Sequence, residues 1–253
     1  MRMKPVLSVS FLCVIITSCI SAQNVSIGVR GGLTIPNLTG GGGTPLSEGY
    51  STRAASGFGV FAEFRISKLF SIQPMLEYSQ EGAKKNGMQA FPLTEEQSEE
   101  FGDQAPQYLY ANYKSIAKLN YLMLPVLTKF GWDLGQQSRW RIYIDAGPYA
   151  ALLLNAHDIQ KGGVQTVYMD KDGKQPVAQA NFDTTENIKD HIHKGNFGIE
   201  GNAGIAYRFK RSTFFLEGGG NYGLLNIQKY AEDGKNHSGA ATIMIGYALS
   251  LGK

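Results

Sequence analysis

Chemistry in this chain would have to start from its four histidines and the acids and hydroxyls beside them. His191-Ile192-His193 puts two imidazoles on one side of an extended segment, and His157 next to Asp158 opens the same stretch. Imidazoles so spaced ligate zinc when a thiolate or a well-spaced carboxylate completes the set. None does, so solvated loop residues are expected, with no metal and no cofactor. His237-Ser238, and Ser79 with Glu81, are the residue types of a hydrolytic nucleophile and its base. Histidines scattered over two loops make such neighbours common by chance, so no catalytic residue is expected. Glu95-Glu96, Glu99-Glu100 and Asp103 form an acidic run that could recruit divalent cations, although such a run is more often a solvated loop. Gly40 to Gly43 has no following helix to supply a dipole to a phosphate. The formal charge of +3 includes leader residues and supports no nucleic-acid partner.

The elements that must hold these residues are strands. Charged residues make up 18% and hydrophobic ones 43% of the 253 residues, which is ordinary, but 31 glycines, 13 tyrosines and 13 phenylalanines are not. Glycine and aromatics together, with few helical runs, point to an all-β protein. Residues 1–22 are set apart as a secretory signal peptide: Arg2 and Lys4 precede an apolar run from Val6 to Ile16, and Ile20-Ser21-Ala22 offers a small-residue cleavage site. That run is too short for a spanning helix of roughly 20 residues. Both cysteines, Cys13 and Cys19, lie in this leader. Ile16-Thr17-Ser18-Cys19 also fits a lipoprotein signal, which would lipidate Cys19.

Residues 23–253 form the second unit. Alternation with period 2 marks eight segments: 25–34, 56–66, 70–81, 119–132, 140–155, 196–209, 213–227 and 240–251. A short helix is expected within 93–101. Connections after the second, fourth and sixth segments are short, and those after the first, third, fifth and seventh are long and polar (36–55, 82–118, 156–195 and 228–239). Transmembrane barrels sort their turns in this way, with short periplasmic turns at one rim and long external loops at the other. The expected fold is an eight-stranded antiparallel up-and-down transmembrane β-barrel in the bacterial outer membrane. An even strand count would leave both termini periplasmic.

Each segment has an apolar and a charged face, and the aromatics decide which meets lipid. Phe58 and Phe64, Phe70 and Tyr78, Phe197 and Tyr207, and Phe214 and Tyr222 sit near segment ends on the apolar face, with Tyr247 on the last segment. A spacing of eight residues spans roughly 20 Å along a tilted barrel, close to the apolar band of about 25 Å with its two aromatic girdles. The apolar face should therefore point outward. The lumen would receive Arg30, Glu63, Arg65, Glu77, Lys129, Arg141, Asp145, Glu200, Arg208 and Glu217, five bases and five acids. Eight strands leave an interior just wide enough for side chains to fill, so these residues are expected to form a structural plug of ion pairs.

Several stretches carry a family resemblance: Ile27-Gly28-Val29-Arg30-Gly31-Gly32-Leu33, the run from Phe70 to Gly82, Leu119-Asn120-Tyr121-Leu122-Met123-Leu124-Pro125-Val126-Leu127, and Ala146-Gly147-Pro148-Tyr149. Together they resemble the PorT-like outer-membrane β-barrel proteins of Bacteroidetes, also called porin-family proteins, over nearly all of the mature chain. Met123 stands where that family commonly has an acid. The chain ends Leu251-Gly252-Lys253 without the terminal aromatic often used as an assembly signal, and Tyr247 is the candidate substitute. The resemblance implies fold and location, brings no catalytic residue, and raises a role in secretion by analogy alone.

The function expected is that of a barrel presenting long external loops for binding, adhesion or envelope and secretion assembly. Its partners would be outer-membrane lipid or lipopolysaccharide, and envelope or secretion proteins. The alternatives are a narrow solute channel and a lipid-modifying or proteolytic enzyme.

Overall fold

The computed structural model describes residues 25–40 and 42–252. The leader with Cys13 and Cys19 lies outside the described residues. Eight strands close a ring: β1 (Val25–Thr39), β2 (Ala55–Arg65), β3 (Phe70–Pro92), β4 (Tyr108–Asp133), β5 (Trp140–Lys161), β9 (Gly195–Phe209), β10 (Ser212–Gly223) and β11 (His237–Ser250). Neighbours in the chain pair antiparallel around the ring, and β1 pairs with β11 to close it, from Ser26 opposite Ser250 to Thr39 opposite His237. Three further strands, β6 (Val164–Tyr168), β7 (Pro176–Asn181) and β8 (Thr184–Asn187), join the sheet outside the ring. Closure removes the unpaired edges that a transmembrane sheet cannot leave in lipid.

The outward face is apolar. On β11, Met244 is 0% exposed while its neighbour Ile245 is 66% exposed. Val29, Phe58, Val60, Leu124, Ile144, Ile199 and Phe214 are exposed on the same outer wall. In water such a surface would cost about 25 cal/mol for every Å² left uncovered, and hydrocarbon removes that cost.

The strand boundaries correct the sequence reading on one side of the barrel. Segments 70–81, 119–132 and 140–155 grow into strands of 23, 26 and 22 residues, whereas a spanning strand needs about 9–11. Most of 82–118 is therefore not a loop. It is a ribbon in which Lys84 pairs with Ile116 and Pro92 with Tyr108, tipped by the short helix α1 (Glu95–Phe101). Likewise 156–195 contains the end of β5 and all of β6 to β8, while segment 213–227 overran β10, which stops at Gly223. The three short connections and both ends of the described chain share one rim. The long connections and the ribbon share the other.

Many glycines are explained by the ring packing inside. Phe61, Tyr143, Tyr149 and Phe215 point into the lumen, and each stands directly across a strand pair from a glycine: Gly28, Gly204, Gly198 and Gly246. A Cβ at any of these glycines would overlap the opposing ring. Bulk on one strand is matched by its absence on the next, which lets aromatic rings fill a barrel of only eight strands.

Candidate functional site

The lumen is filled in layers. At the short-turn mouth, Asp133 accepts from Arg141 Nη1 at 2.9 Å and from Arg208 Nη2 at 2.7 Å, and the free space there is about 40 Å³. One level deeper, Lys129 lies 3.5 Å from Glu63, donates to Gln73 Oε1 at 3.1 Å, and places its ammonium 3.9 Å from the centre of the Tyr143 ring. Phe61, Met75, Leu127, Tyr143 and Phe215 pack here as one apolar cluster.

Above that layer sits Arg30, buried on β1. Its Nε and Nη2 donate to Glu77, Nη1 donates to Glu217 Oε1 at 2.8 Å, and Nη2 donates to Glu200 Oε1 at 2.6 Å. One planar guanidinium thus ties together β1, β3, β9 and β10, using the forked donor geometry that lysine lacks. The Tyr143 hydroxyl donates to Glu217 Oε2 at 2.6 Å. Asn202 Nδ2 bridges Asp145 and Glu200 at 2.9 and 3.1 Å. Towards the long-loop rim, Leu119, Tyr121, Met123, Tyr149, Ile192 and Ile227 form a second apolar cluster across the barrel.

The ten predicted lumen residues separate into groups. Arg30, Glu77, Glu200 and Glu217 meet at the centre, with Asp145 joined through Asn202. Lys129 and Glu63 pair below, and Arg141 and Arg208 meet at the mouth on Asp133, which sequence reasoning had not placed. Arg65 is exposed and makes no salt bridge among the described residues. The even balance of charge is corrected in space: the centre is acidic, one guanidinium facing three glutamates, and the bases gather at the short-turn mouth. Ion pairs also account for only part of the filling, since two apolar clusters share it. The nine aromatics all lie on the outer wall, and several pair across strands: Phe58 with Tyr78 at 5.1 Å, Phe70 with Phe130 at 5.4 Å, Trp140 with Tyr207 at 4.9 Å and Phe214 with Tyr247 at 5.1 Å. Phe64, Phe197 and Tyr222 complete the set without a ring pair to one another.

The long-loop rim holds a vestibule of about 260 Å³ that the sequence did not reveal. Leu38, Leu119, Ile192 and Ile227 are its floor. Tyr50, Lys85, Gln89, Tyr113, Ser115, Asp158 and Glu186 are among its walls. Ser115 and Gln160 hold the two oxygens of Asp158 at 2.7 and 3.0 Å. Lys85 donates to the Leu46 carbonyl at 2.5 Å and lies over the Tyr50 ring at 4.1 Å. Burial pushes the Lys85 ammonium down to about 8, against the opposing pull of Asp158 and Glu48. Burial, reinforced by the Asp158 charge, raises the Tyr50 and Tyr113 phenols, which keep their protons at any ordinary pH. The vestibule can therefore offer hydroxyl, amide and carboxylate groups beside aromatic faces, a set suited to binding a polar ligand.

The histidines do not assemble a catalytic set among the described residues. His191 pairs with Asp233 at 3.1 Å. His237 meets the Gly223 carbonyl at 3.1 Å, while Ser238 faces inward and accepts from Asn196. Ser79 donates to Glu81 in the lumen at 2.8 Å. No group of three or more His, Cys, Asp or Glu is placed to hold a metal among the described residues.

No curated protein matches the sequence. Among solved structures, Neisserial surface protein A (NspA) is similar at 12% identity and a TM-score of 0.40, over 88% of this chain and 96% of that one. Ail, the attachment invasion locus protein of Yersinia pestis, in complex with the heparin analogue sucrose octasulfate, is similar at 8% identity and a TM-score of 0.37, over 89% of this chain and 99% of that one. The sequence profile of the outer membrane protein β-barrel domain matches residues 21–229. Most of the described barrel falls within that match, so the chain belongs to the outer membrane protein β-barrel domain family and is an integral protein of the bacterial outer membrane.

Proposed function

We propose that the protein is an outer-membrane-anchored binding protein, in which the barrel is a sealed anchor and the long-loop rim does the work outside the cell. The observation that carries this reading is the lumen: two apolar clusters and the Arg30 cluster between them occupy successive sections of the barrel. The elaborated parts, the β3–β4 ribbon, β6 to β8 and the vestibule, all lie at one rim. With that rim outside, the short turns and both termini face the periplasm. The PorT-like motifs support a role in envelope or secretion assembly as one form of such binding, and no enzymatic step is part of the reading.

Two measurements test it. Purified protein in planar bilayers should give no discrete, stable openings, and regular single-channel steps would replace the anchor with a channel. A cysteine placed at Asp172, between β6 and β7, should react with a membrane-impermeant maleimide on intact cells. Labelling only after the outer membrane is breached would reverse the orientation.

A further inference from the structure

The outer wall of the ribbon continues above the lipid band as a basic face. On β4 the outward positions run Leu124, Leu122, Asn120, Lys118, Ile116, Lys114 towards the long-loop rim, and on β5 they run Asn155, His157, Ile159, Lys161. Register sets Lys118 directly opposite His157 and Lys114 directly opposite Lys161. Lys84 on β3 pairs with Ile116 in the rung between. Like charges directly opposite each other destabilise a strand pair, yet none of Lys84, Lys114, Lys118 and Lys161 forms a salt bridge among the described residues. Asp183 is felt by Lys161, but its carboxylate is already bonded to the backbone N–H groups of Gly162 and Gly163 at 3.0 and 3.1 Å. The acids of these strands are on the other side: Asp158 and its cross-strand partner Glu186 line the vestibule. The segregation is therefore a property of the face and not of the composition.

Height identifies what the face meets. The unbroken apolar run ends at Leu122 and Leu154, an amide rung follows in which Asn120 donates to Asn155 at 2.6 Å, and then come the cations, with one apolar rung, Ile116 opposite Ile159, between them. Lys118 lies four positions from Leu122, about 10 Å along a tilted barrel. That is the level of lipid headgroups, and lysine stems can bend further towards them. We infer that this face binds the phosphorylated headgroup of an outer-leaflet glycolipid, with Lys84, Lys114, Lys118 and Lys161 as the phosphate ligands and His157 beside them. The inference rests on the outward orientation of the long-loop rim.

The test is native mass spectrometry of the full chain in detergent, mixed with bisphosphorylated lipid A, with lipid A stripped of phosphate, or with phosphatidylglycerol. The phosphorylated glycolipid should be retained best. Changing all four lysines to glutamine should weaken retention on the order of 600-fold, since one lysine near an anionic surface is worth roughly 5-fold. Changing them to arginine should preserve it. Heat-dependent mobility in SDS reports whether each variant still forms a barrel. Equal retention of the two lipid A forms, equal retention of phosphatidylglycerol, or full retention by a folded glutamine variant overturns the inference. Flotation with phospholipid vesicles is read separately: a protein that does not float loses the membrane anchor itself, whereas one that floats without phosphate preference loses only this site.

Discussion

Asn120 and Asn155 stand opposite each other on β4 and β5, yet one rung below them Tyr121 faces Leu153, so Leu154 is an extra residue with no partner across the strand pair. This bulge changes which side chains face out. Below it the even-numbered residues of β5 face outward; above it His157, Ile159 and Lys161 do, and Asp158 and Gln160 turn into the vestibule. One inserted residue thus sorts acid from base for the rest of the strand.

Deleting Leu154 should undo that sorting. Asp158 would move to the outer wall and Lys161 to the inside. With a cysteine at position 161, labelling by a water-soluble maleimide should fall several-fold in the deletion variant relative to the same cysteine in the full-length protein. Unchanged labelling would mean that the strand re-forms its bulge elsewhere.

The aromatic–glycine pairs give a second prediction. The Tyr143 ring occupies the space that a side chain at Gly204 would need, and its hydroxyl is committed to Glu217. Gly204→Ala must displace either the ring or the strand, and such overpacking costs roughly 1–3 kcal/mol. The urea midpoint of protein reconstituted in vesicles should fall accordingly. Tyr143→Ala should relieve the clash, so the double variant should be less destabilised than the two single losses added together. Additive losses would show that the ring and the glycine do not press on each other.

Arg30 carries the largest expected effect. Arg30→Met removes the one cation that holds Glu77, Glu200 and Glu217 together, and stranding buried charge costs about 3–5 kcal/mol. Urea unfolding should show a loss of that order, and Arg30→Lys should recover only part of it because an ammonium has no fork. Adding Glu200→Gln to Arg30→Met should restore some stability. The variant should still be silent in planar bilayers, because the Phe61–Tyr143–Phe215 layer and the Tyr121–Met123 layer fill the barrel without it. Openings specific to Arg30→Met would make the guanidinium the seal.

These residues also show how much could be read without coordinates. Within the bilayer, hydrocarbon outside and a narrow lumen inside impose opposite demands on alternate residues, so Ile245 next to Met244 or Val29 next to Arg30 declares its face in sequence. Eight strands and the outer aromatics were legible for that reason. Above the bilayer both faces meet water, and the run from Lys84 to Met88 or from Asn112 to Ser115 looks the same as a polar loop, so the ribbon was hidden. The vestibule was hidden with it. Spatial order was the other loss: five acids and five bases can be counted along the chain, but only register places three of the acids around Arg30 and sends Arg141 and Arg208 to Asp133. Asp133 itself was assigned to a turn, where an exposed acid carries no signal.

The vestibule provides a pH dependence. Lys85 is pushed down to about 8 from an ordinary 10.5 because burial beside Tyr50 and Tyr113 disfavours the ammonium. Between those two values the unfolded chain holds the proton that the folded chain has released, so folding becomes more favourable as pH rises through that window. Below about 8 the amine is charged in both states and the cost of burying it is constant. Compared with Lys85→Met, the wild type should therefore show a flat stability difference below pH 8, then gain by up to about 1.4 kcal/mol per pH unit towards 10.5. Asp158 and Glu48 oppose the shift, so Asp158→Asn should start the gain at a lower pH. A stability difference that falls with rising pH would mean that the Lys85 ammonium is held by its partners more strongly than burial expels it.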